Sequence, residues 1–354
     1  MHSDLEHIAR ALVARGKGIL AADETVPTLT KRFDAVRIPS TPSTRRDYRE
    51  MLITAPGAAE FLSGVIMYDE TIRQESSDGL PLAIVCQRLG ILPGIKVDRG
   101  AKPLAGSPDE RVTDGLDGLR ERLTEYRQLG AVFAKWRAVF VVSDAVPTDA
   151  CIAANAHALA RYAALCQEQD IVPIVEPEVL MDGAHTIERC EEVTGTVLQA
   201  VFAALFQQRV ALEGMVLKPN MVVPGLTCPR QASVEQVATA TLRCLRRHVP
   251  PAVPGIAFLS GGQNDVLATR HLNAINQAAS PKPWALTFSF GRALQDGALT
   301  TWRGKREHLA AAEQQLTHRV RCNSLAAVGT YTEAEEQRVH VEALAGVSGG
   351  WDDD

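Results

Sequence analysis

Apolar residues fall along this chain in short, nearly unbroken runs. Eight recur: Gly18–Asp23, Gly64–Asp69, Gly94–Asp98, Ala131–Arg137, Ile171–Glu178, Met215–Pro219, Ile256–Ser260 and Trp284–Ser289. Several are apolar throughout rather than alternating, the pattern of parallel strands buried on both faces. Helical periodicity fills the segments between them, as in Leu116–Leu129, Thr148–Glu168, Ile187–Gln208 and Ser233–His248. Strand-helix alternation predicts a parallel sheet. Eight repeats predict an α/β fold with a single closed (β/α)8 TIM barrel. No composition break divides the chain. Residues 1–344 read as one barrel domain, and residues 345–354, glycine-rich then acidic, as a mobile tail.

The runs end on polar residues. In chain order these are Asp23, Asp69 with Glu70, Lys96, Lys135 with Arg137, Glu176 with Glu178, Lys218, Ser260, and Ser289 with Arg292. In a barrel such ends converge on one face, where reactive groups collect. Lys218, in Gly214-Met215-Val216-Leu217-Lys218-Pro219-Asn220, is the most informative. Burial there strips hydration from the ammonium and favours the nucleophilic amine, and a nearby cation such as Lys135 adds to the effect. An isolated strand-end lysine is ordinarily a salt-bridge partner. Three of them, with carboxylates and arginine at the same ends of successive strands, point to a shared site.

A neutral lysine amine condenses with a ketone to an iminium. The iminium draws electrons from the neighbouring carbon–carbon bond, so aldol cleavage or its reverse needs no metal. Glu176, beside Glu178, is the candidate proton donor for dehydration, and Asp23 could accept a hydroxyl proton. Asp23-Glu24-Thr25 also reads as a helix cap, and Asp98 with Arg99 reads as an ion pair. Two anion sites are indicated. One is Ser260-Gly261-Gly262 with Ser289, Gly291 and Arg292, in the loops after the seventh and eighth runs. The other is Lys31 and Arg32 after the first.

Composition narrows the classes. The chain has 354 residues, 46% hydrophobic and 22% charged, with a net charge of -5, which does not fit a nucleic-acid binder. Aromatic content of 5% offers no stacking platform for bases. The seven cysteines follow no CxxC rule and fit reduced thiols in a cytoplasmic protein. Met1 to Leu20 is charged and helical in pattern, without a signal peptide's apolar stretch, and no run approaches the ~20 residues of a membrane span. Gly16-Lys17-Gly18-Ile19-Leu20-Ala21 matches GxGxxA, but its glycines precede the strand, so it is not a dinucleotide site. None of the nine histidines lies at a strand end, so neither a zinc centre nor any other metal or cofactor is expected.

The chain resembles the class I fructose-bisphosphate aldolases. The resemblance rests on Gly16–Glu24, Gly94–Asp98, Ala134–Arg137, Ile174–Glu178, Leu217–Met221, Phe258–Gln263 and Trp284–Arg292, and runs from about Ile8 to Thr332. It implies a barrel, usually a homotetramer, that cleaves fructose 1,6-bisphosphate to dihydroxyacetone phosphate and glyceraldehyde 3-phosphate. It also implies that Lys218 forms the Schiff base, Glu176 transfers protons and Asp23 handles the C4 hydroxyl proton. Lys135 and Arg137 would line the cleavage site. Arg32, Ser260, Gly261, Gly262, Ser289 and Arg292 would contact sugar phosphate, with Lys96 a further basic contact.

Two departures stand out. Relatives read Ser-Thr-Gly-Ser after Asp-Glu, whereas this chain has Thr25-Val26-Pro27-Thr28, a stiffer loop. Many relatives end in a tyrosine that assists proton exchange on the enamine. This chain ends Trp351-Asp352-Asp353-Asp354, so deleting its tail is expected to lower turnover less than in tyrosine-ended relatives. Two readings stay open beside fructose-bisphosphate cleavage. One is a Schiff-base aldolase preferring fructose 1-phosphate, sedoheptulose 1,7-bisphosphate or tagatose 1,6-bisphosphate. The other is a catalytically idle barrel kept for binding.

Overall fold

Eight parallel strands close into a barrel in strict chain order. They are β1 (Gly18–Ala22), β2 (Leu62–Met67), β3 (Leu92–Lys96), β4 (Phe133–Phe140), β5 (Val172–Val179), β6 (Val216–Leu217), β7 (Gly255–Phe258) and β8 (Ala285–Phe290). The computed structural model describes residues 2–338. The TIM barrel expected from the spacing is therefore present, and each of the eight runs overlaps one strand, though six of the strands extend past the run's bounds. The boundary at residues 344/345, the tail and Trp351 lie outside the described residues.

Side chains alternate across each strand, so every second residue points into the barrel. The inward row of β4 is Phe133, Lys135, Arg137, and that of β5 is Val172, Ile174, Glu176, Glu178. Continued past the strand ends, the β1 row is Ile19, Ala21, Asp23, and the β6 row is Val216 then Lys218. Each row runs from apolar at the strand start to charged at its end. The outward residues, such as Ala134, Trp136 and Leu217, pack into the core shared with the surrounding helices.

The apolar starts are sealed by the helix His2–Leu12. Leu5, Ala9, Leu12 and Val13 pack on Ile19, Ile66, Phe133, Ile174, Val216 and Ala257 in a second, separate core. Glycines make room for two large rings, Phe133 in this floor and Phe288 in the outer core shared with the helices. A Cβ on Gly94 would sit 2.2 Å from the Phe133 ring, and one on Gly18 2.4 Å from Phe288.

Local chemistry sets several boundaries. The strand β6 is short because Pro219 follows Lys218 and has no N–H to extend the ladder. The helix expected from Leu116 begins at Leu119, after Gly118 at φ 63°. The segment Thr25–Thr28 is not a stiff loop, as its proline suggested, but the start of the helix Val26–Ala35. Thr25 is its N-cap, accepting from the Thr28 N–H at 3.4 Å, and Pro27 stands in the first turn where it displaces no hydrogen bond. An antiparallel hairpin, Ala101–Leu104 with Ser107–Thr113, was not anticipated.

Candidate active site

The charged ends of the inward rows meet in an open cavity of about 440 Å³ at the carboxyl ends of the strands. Fourteen of the residues singled out from the sequence line it: Asp23, Arg32, Lys96, Lys135, Arg137, Glu176, Glu178, Lys218, Ser260, Gly261, Gly262, Ser289, Gly291 and Arg292. Three do not: Lys31 is exposed outside it, and Asp69 and Glu70 pair with Arg73 and Arg45.

A chain of opposite charges crosses its floor. Lys218 Nζ is 3.2 Å from Glu176 Oε1, and both side chains are 4% exposed. Lys135 Nζ lies 2.6 Å from Asp23 Oδ2 and 3.4 Å from Glu176 Oε2. That second Glu176 oxygen makes no hydrogen bond, so Lys135 attracts it without the alignment of a donor. Main-chain pairing fixes these positions: the Lys218 N–H donates to Val175 O at 2.8 Å, and Lys135 pairs with Ile174 across β4 and β5.

Burial and neighbouring charge work against each other here. Burial opposes the Lys135 ammonium, yet Asp23, Glu176 and Asp98 together overcome it and hold the group protonated, above the ordinary lysine range. Burial likewise opposes the Asp23 carboxylate, but Lys135, Lys218 and Lys96 outweigh it and hold its carboxyl well below the usual range. Lys96 is shifted down, chiefly by burial, with the Lys135 charge adding to it. The mouth therefore carries a fixed anion at Asp23 beside a fixed cation at Lys135.

Around this centre nearly every cation has its own carboxylate. Lys96 bonds Asp98, and Arg137 bonds Glu178. Arg32 is shared between Glu24 and Asp296, the latter at 2.8 Å, while Arg49 meets Glu24 Oε2 at 2.9 Å. The expected Asp98–Arg99 pair does not form. Asp98 turns inward to Lys96, and its two oxygens also accept from the Gly100 and Arg137 N–H groups. Sequence adjacency suggested the wrong partner, because neighbours along an extended chain point to opposite sides.

Arg292 is different: among the described residues no carboxylate lies within ion-pair distance of it. It begins the helix Arg292–Trp302 immediately after β8. Beside it Ser289 is 1% exposed and its hydroxyl has no partner. Across from it Gly261 and Gly262 take φ +61° and +93°, and a Cβ on Gly262 would come 3.8 Å from the Arg292 guanidinium. Neither glycine N–H has a partner among the described residues. An unpaired guanidinium, an unpaired hydroxyl and two free N–H groups form a receptor for one phosphate-sized anion.

Nine lining residues were not assigned to the site from the sequence: Ala21, Glu24, Thr25, Thr28, Asp98, Val139, Leu259, Gly100 and Ala101. The last two arrive on the hairpin. Ala105-Gly106 between two short polar segments was its one turn signal, and Pro103 obscured it. The three residues His318, Cys322 and Glu336 could together hold a metal ion. They lie away from the mouth, and Glu336 is already bound by Arg319 and Tyr331, the latter at 2.7 Å.

A family model described as fructose-bisphosphate aldolase class-I matches residues 4–346. A protein of Xanthomonas campestris named "Probable fructose-bisphosphate aldolase class 1" is 54% identical, over 92% of this chain and 98% of its own. The rat "Fructose-bisphosphate aldolase C" is 51% identical, over 93% of this chain and 91% of its own. Among solved structures, a Plasmodium falciparum fructose-bisphosphate aldolase, in complex with TRAP and a small-molecule inhibitor, superposes with a TM-score of 0.92. It is 48% identical and covers 94% of this chain and 96% of its own.

Proposed function

The chain belongs to the class I fructose-bisphosphate aldolase family, and we propose that Lys218 is the amine through which it works. The reaction is the metal-independent, reversible cleavage of fructose 1,6-bisphosphate to dihydroxyacetone phosphate and glyceraldehyde 3-phosphate, a step of glycolysis and gluconeogenesis. The observation that carries the assignment of Lys218 is its burial in the mouth with a carboxylate 3.2 Å away.

The roles follow from these positions. Lys218 passes a proton to Glu176, and the free amine adds to the C2 carbonyl. Glu176 returns the proton to the carbinolamine hydroxyl, which leaves as water, and an iminium remains. The C3–C4 electron pair then flows into the iminium while the C4 hydroxyl proton passes to Asp23, an anion at neutral pH. Glyceraldehyde 3-phosphate departs. Protonation of the enamine at C3 and hydrolysis release dihydroxyacetone phosphate and restore Lys218. Lys135 holds Asp23 and Glu176 in place and offsets their charge, and Glu178 orients Arg137 at the rim. One substrate phosphate takes the pocket of Ser260, Gly261, Gly262, Ser289, Gly291 and Arg292. Lys96, Arg137 and Arg32 face the rest of the sugar.

Borohydride reduction in the presence of dihydroxyacetone phosphate, followed by peptide mapping, tests this reading. The adduct is expected on Lys218, with activity undiminished in EDTA. An adduct on another residue overturns the assignment.

We further assign the protein to the cytoplasm and to a homotetramer, with residues 1–344 as the catalytic domain and 345–354 as an appended tail. No helix among the described residues is long and apolar enough to cross a membrane. The family resemblance supports the tetramer, and light scattering on the purified chain decides it.

A further inference from the structure

We propose that His271 is a positioning residue for the anion receptor at Gly261 and Gly262, acting through Gln263. His271 lies on the helix Asp265–Gln277, behind the loop that follows β7, and is 3% exposed. Its Nδ1 is 2.5 Å from Gln263 Oε1. The Gln263 amide nitrogen donates to Ser260 O at 2.9 Å, and the Gln263 main-chain N–H donates to the same carbonyl at 3.1 Å.

This chain of contacts has one consistent arrangement. Ser260 O can only accept, so the amide nitrogen must face it. The amide oxygen then faces His271 and requires a donor, which makes His271 the neutral tautomer with its proton on Nδ1. Its other nitrogen, Nε2, has no partner. Burial keeps the ring neutral by pushing its pKa down to about 4, and Glu235, on the neighbouring helix, opposes that only partly. The double grip on Ser260 O draws that carbonyl away from the cavity. The following Gly261 and Gly262 N–H groups are thereby left facing it, in conformations with positive φ that only a held loop of glycines adopts readily.

His271 touches no substrate. Its effect is to fix which way the Gln263 amide points, and a packing residue of the same size would not do this. The inference rests on the reading that this loop holds a substrate phosphate.

The test compares His271→Asn, whose Nδ2 stands where the imidazole Nδ1 does, with His271→Leu, which fills the space but donates nothing. Inorganic phosphate affinity is read by calorimetry, and KM and kcat are read with fructose 1,6-bisphosphate. His271→Leu is expected to weaken phosphate and raise KM by about tenfold, the usual cost of a buried acceptor left bare, with kcat little changed. His271→Asn should stay within about twofold of the parent on both readouts, a margin under 0.5 kcal/mol. Gln263→Met, which removes the amide itself, should match His271→Leu and serves if that variant does not fold. Parental phosphate affinity in His271→Leu or Gln263→Met overturns the inference, as does a His271→Asn enzyme as impaired as His271→Leu. If the parent protein forms no Lys218 adduct, the catalytic reading fails, while the phosphate affinities still decide the role of His271.

Discussion

The two ends of this barrel are built from the same strands and obey opposite rules. At the floor the inward residues are Ile19, Ile66, Phe133, Ile174, Val216 and Ala257, closed off by the helix His2–Leu12. Two residues further along the same rows stand Lys135, Glu176 and Lys218, each at most 4% exposed yet charged. The floor buries apolar area, which favours the fold. The mouth buries charge, which opposes it unless partners are supplied. Here they are supplied in a chain, Asp23–Lys135–Glu176–Lys218, so that no central charge stands alone. Stability and chemistry are thereby separated by about two residues of strand, roughly 7 Å.

The largest effect expected from breaking this separation is at Lys218. Lys218→Met keeps the length of the side chain and removes the amine. Turnover should fall by at least about 10⁴-fold, as when a covalent nucleophile is deleted. The melting temperature should stay within a few degrees, although Glu176 then loses one of its two cations. Steady-state assay with thermal melting checks both. A folded variant that retains a tenth of parental turnover would remove Lys218 from the mechanism.

The converse variant lies at the floor. Phe133→Ala empties the space that Gly64 and Gly94 leave for the ring. It should cost about 3–5 kcal/mol of stability, the range for a buried aromatic truncated in a packed core. Turnover per folded molecule should be unchanged, because Phe133 lies one inward position below Lys135. Denaturant unfolding together with active-site titration separates the two readouts. A loss of turnover without a loss of stability would show that floor and mouth are coupled.

Arg292→Ala tests the mouth without touching its central chain. Among the described residues Arg292 has no carboxylate to leave unpaired, so stability should hold or rise slightly. KM should increase about 10–100-fold, the worth of a charge-assisted hydrogen bond to phosphate. At Arg32, which Glu24 and Asp296 hold, the same truncation should shift both KM and stability. Parallel KM and melting measurements on the two variants show whether an unpaired and a paired arginine differ as claimed.

Much of this layout is readable in the chain itself, for a physical reason. Strands buried on both faces write themselves as apolar runs, and a charge at the end of such a run stands out because it has no ordinary place there. That made Lys135, Glu176 and Lys218 visible. What stayed hidden depends on direction rather than composition. Asp98 appeared to pair with its neighbour Arg99, but the alternation of an extended chain sends it to Lys96. His271 read as a histidine away from every strand end, which it is. Its link to the mouth runs through the Gln263 amide and appears only once the helix is packed. The hairpin Ala101–Thr113 is short, polar and interrupted by Pro103, so neither periodicity nor burial marks it.

The smallest expected effect comes from Thr25, where the mouth and the scaffold meet in one side chain. Its hydroxyl caps the helix Val26–Ala35 and lies 2.9 Å from that of Thr28, and both residues line the cavity. A residue that served only as a cap would cost about 1 kcal/mol when replaced by alanine and would leave KM alone. A residue that served only the substrate would raise KM and leave stability alone. The Thr25 hydroxyl accepts from the Thr28 N–H at 3.4 Å, a long bond, so the capping share should fall at the low end of that range. Its position beside Asp23 and Glu24 argues for a small KM effect as well, about two- to threefold, under 1 kcal/mol. Thr25→Ser keeps the cap and the hydroxyl and should restore both. If Thr25→Ala loses about 1 kcal/mol and KM does not move, this loop belongs with the floor and serves structure alone.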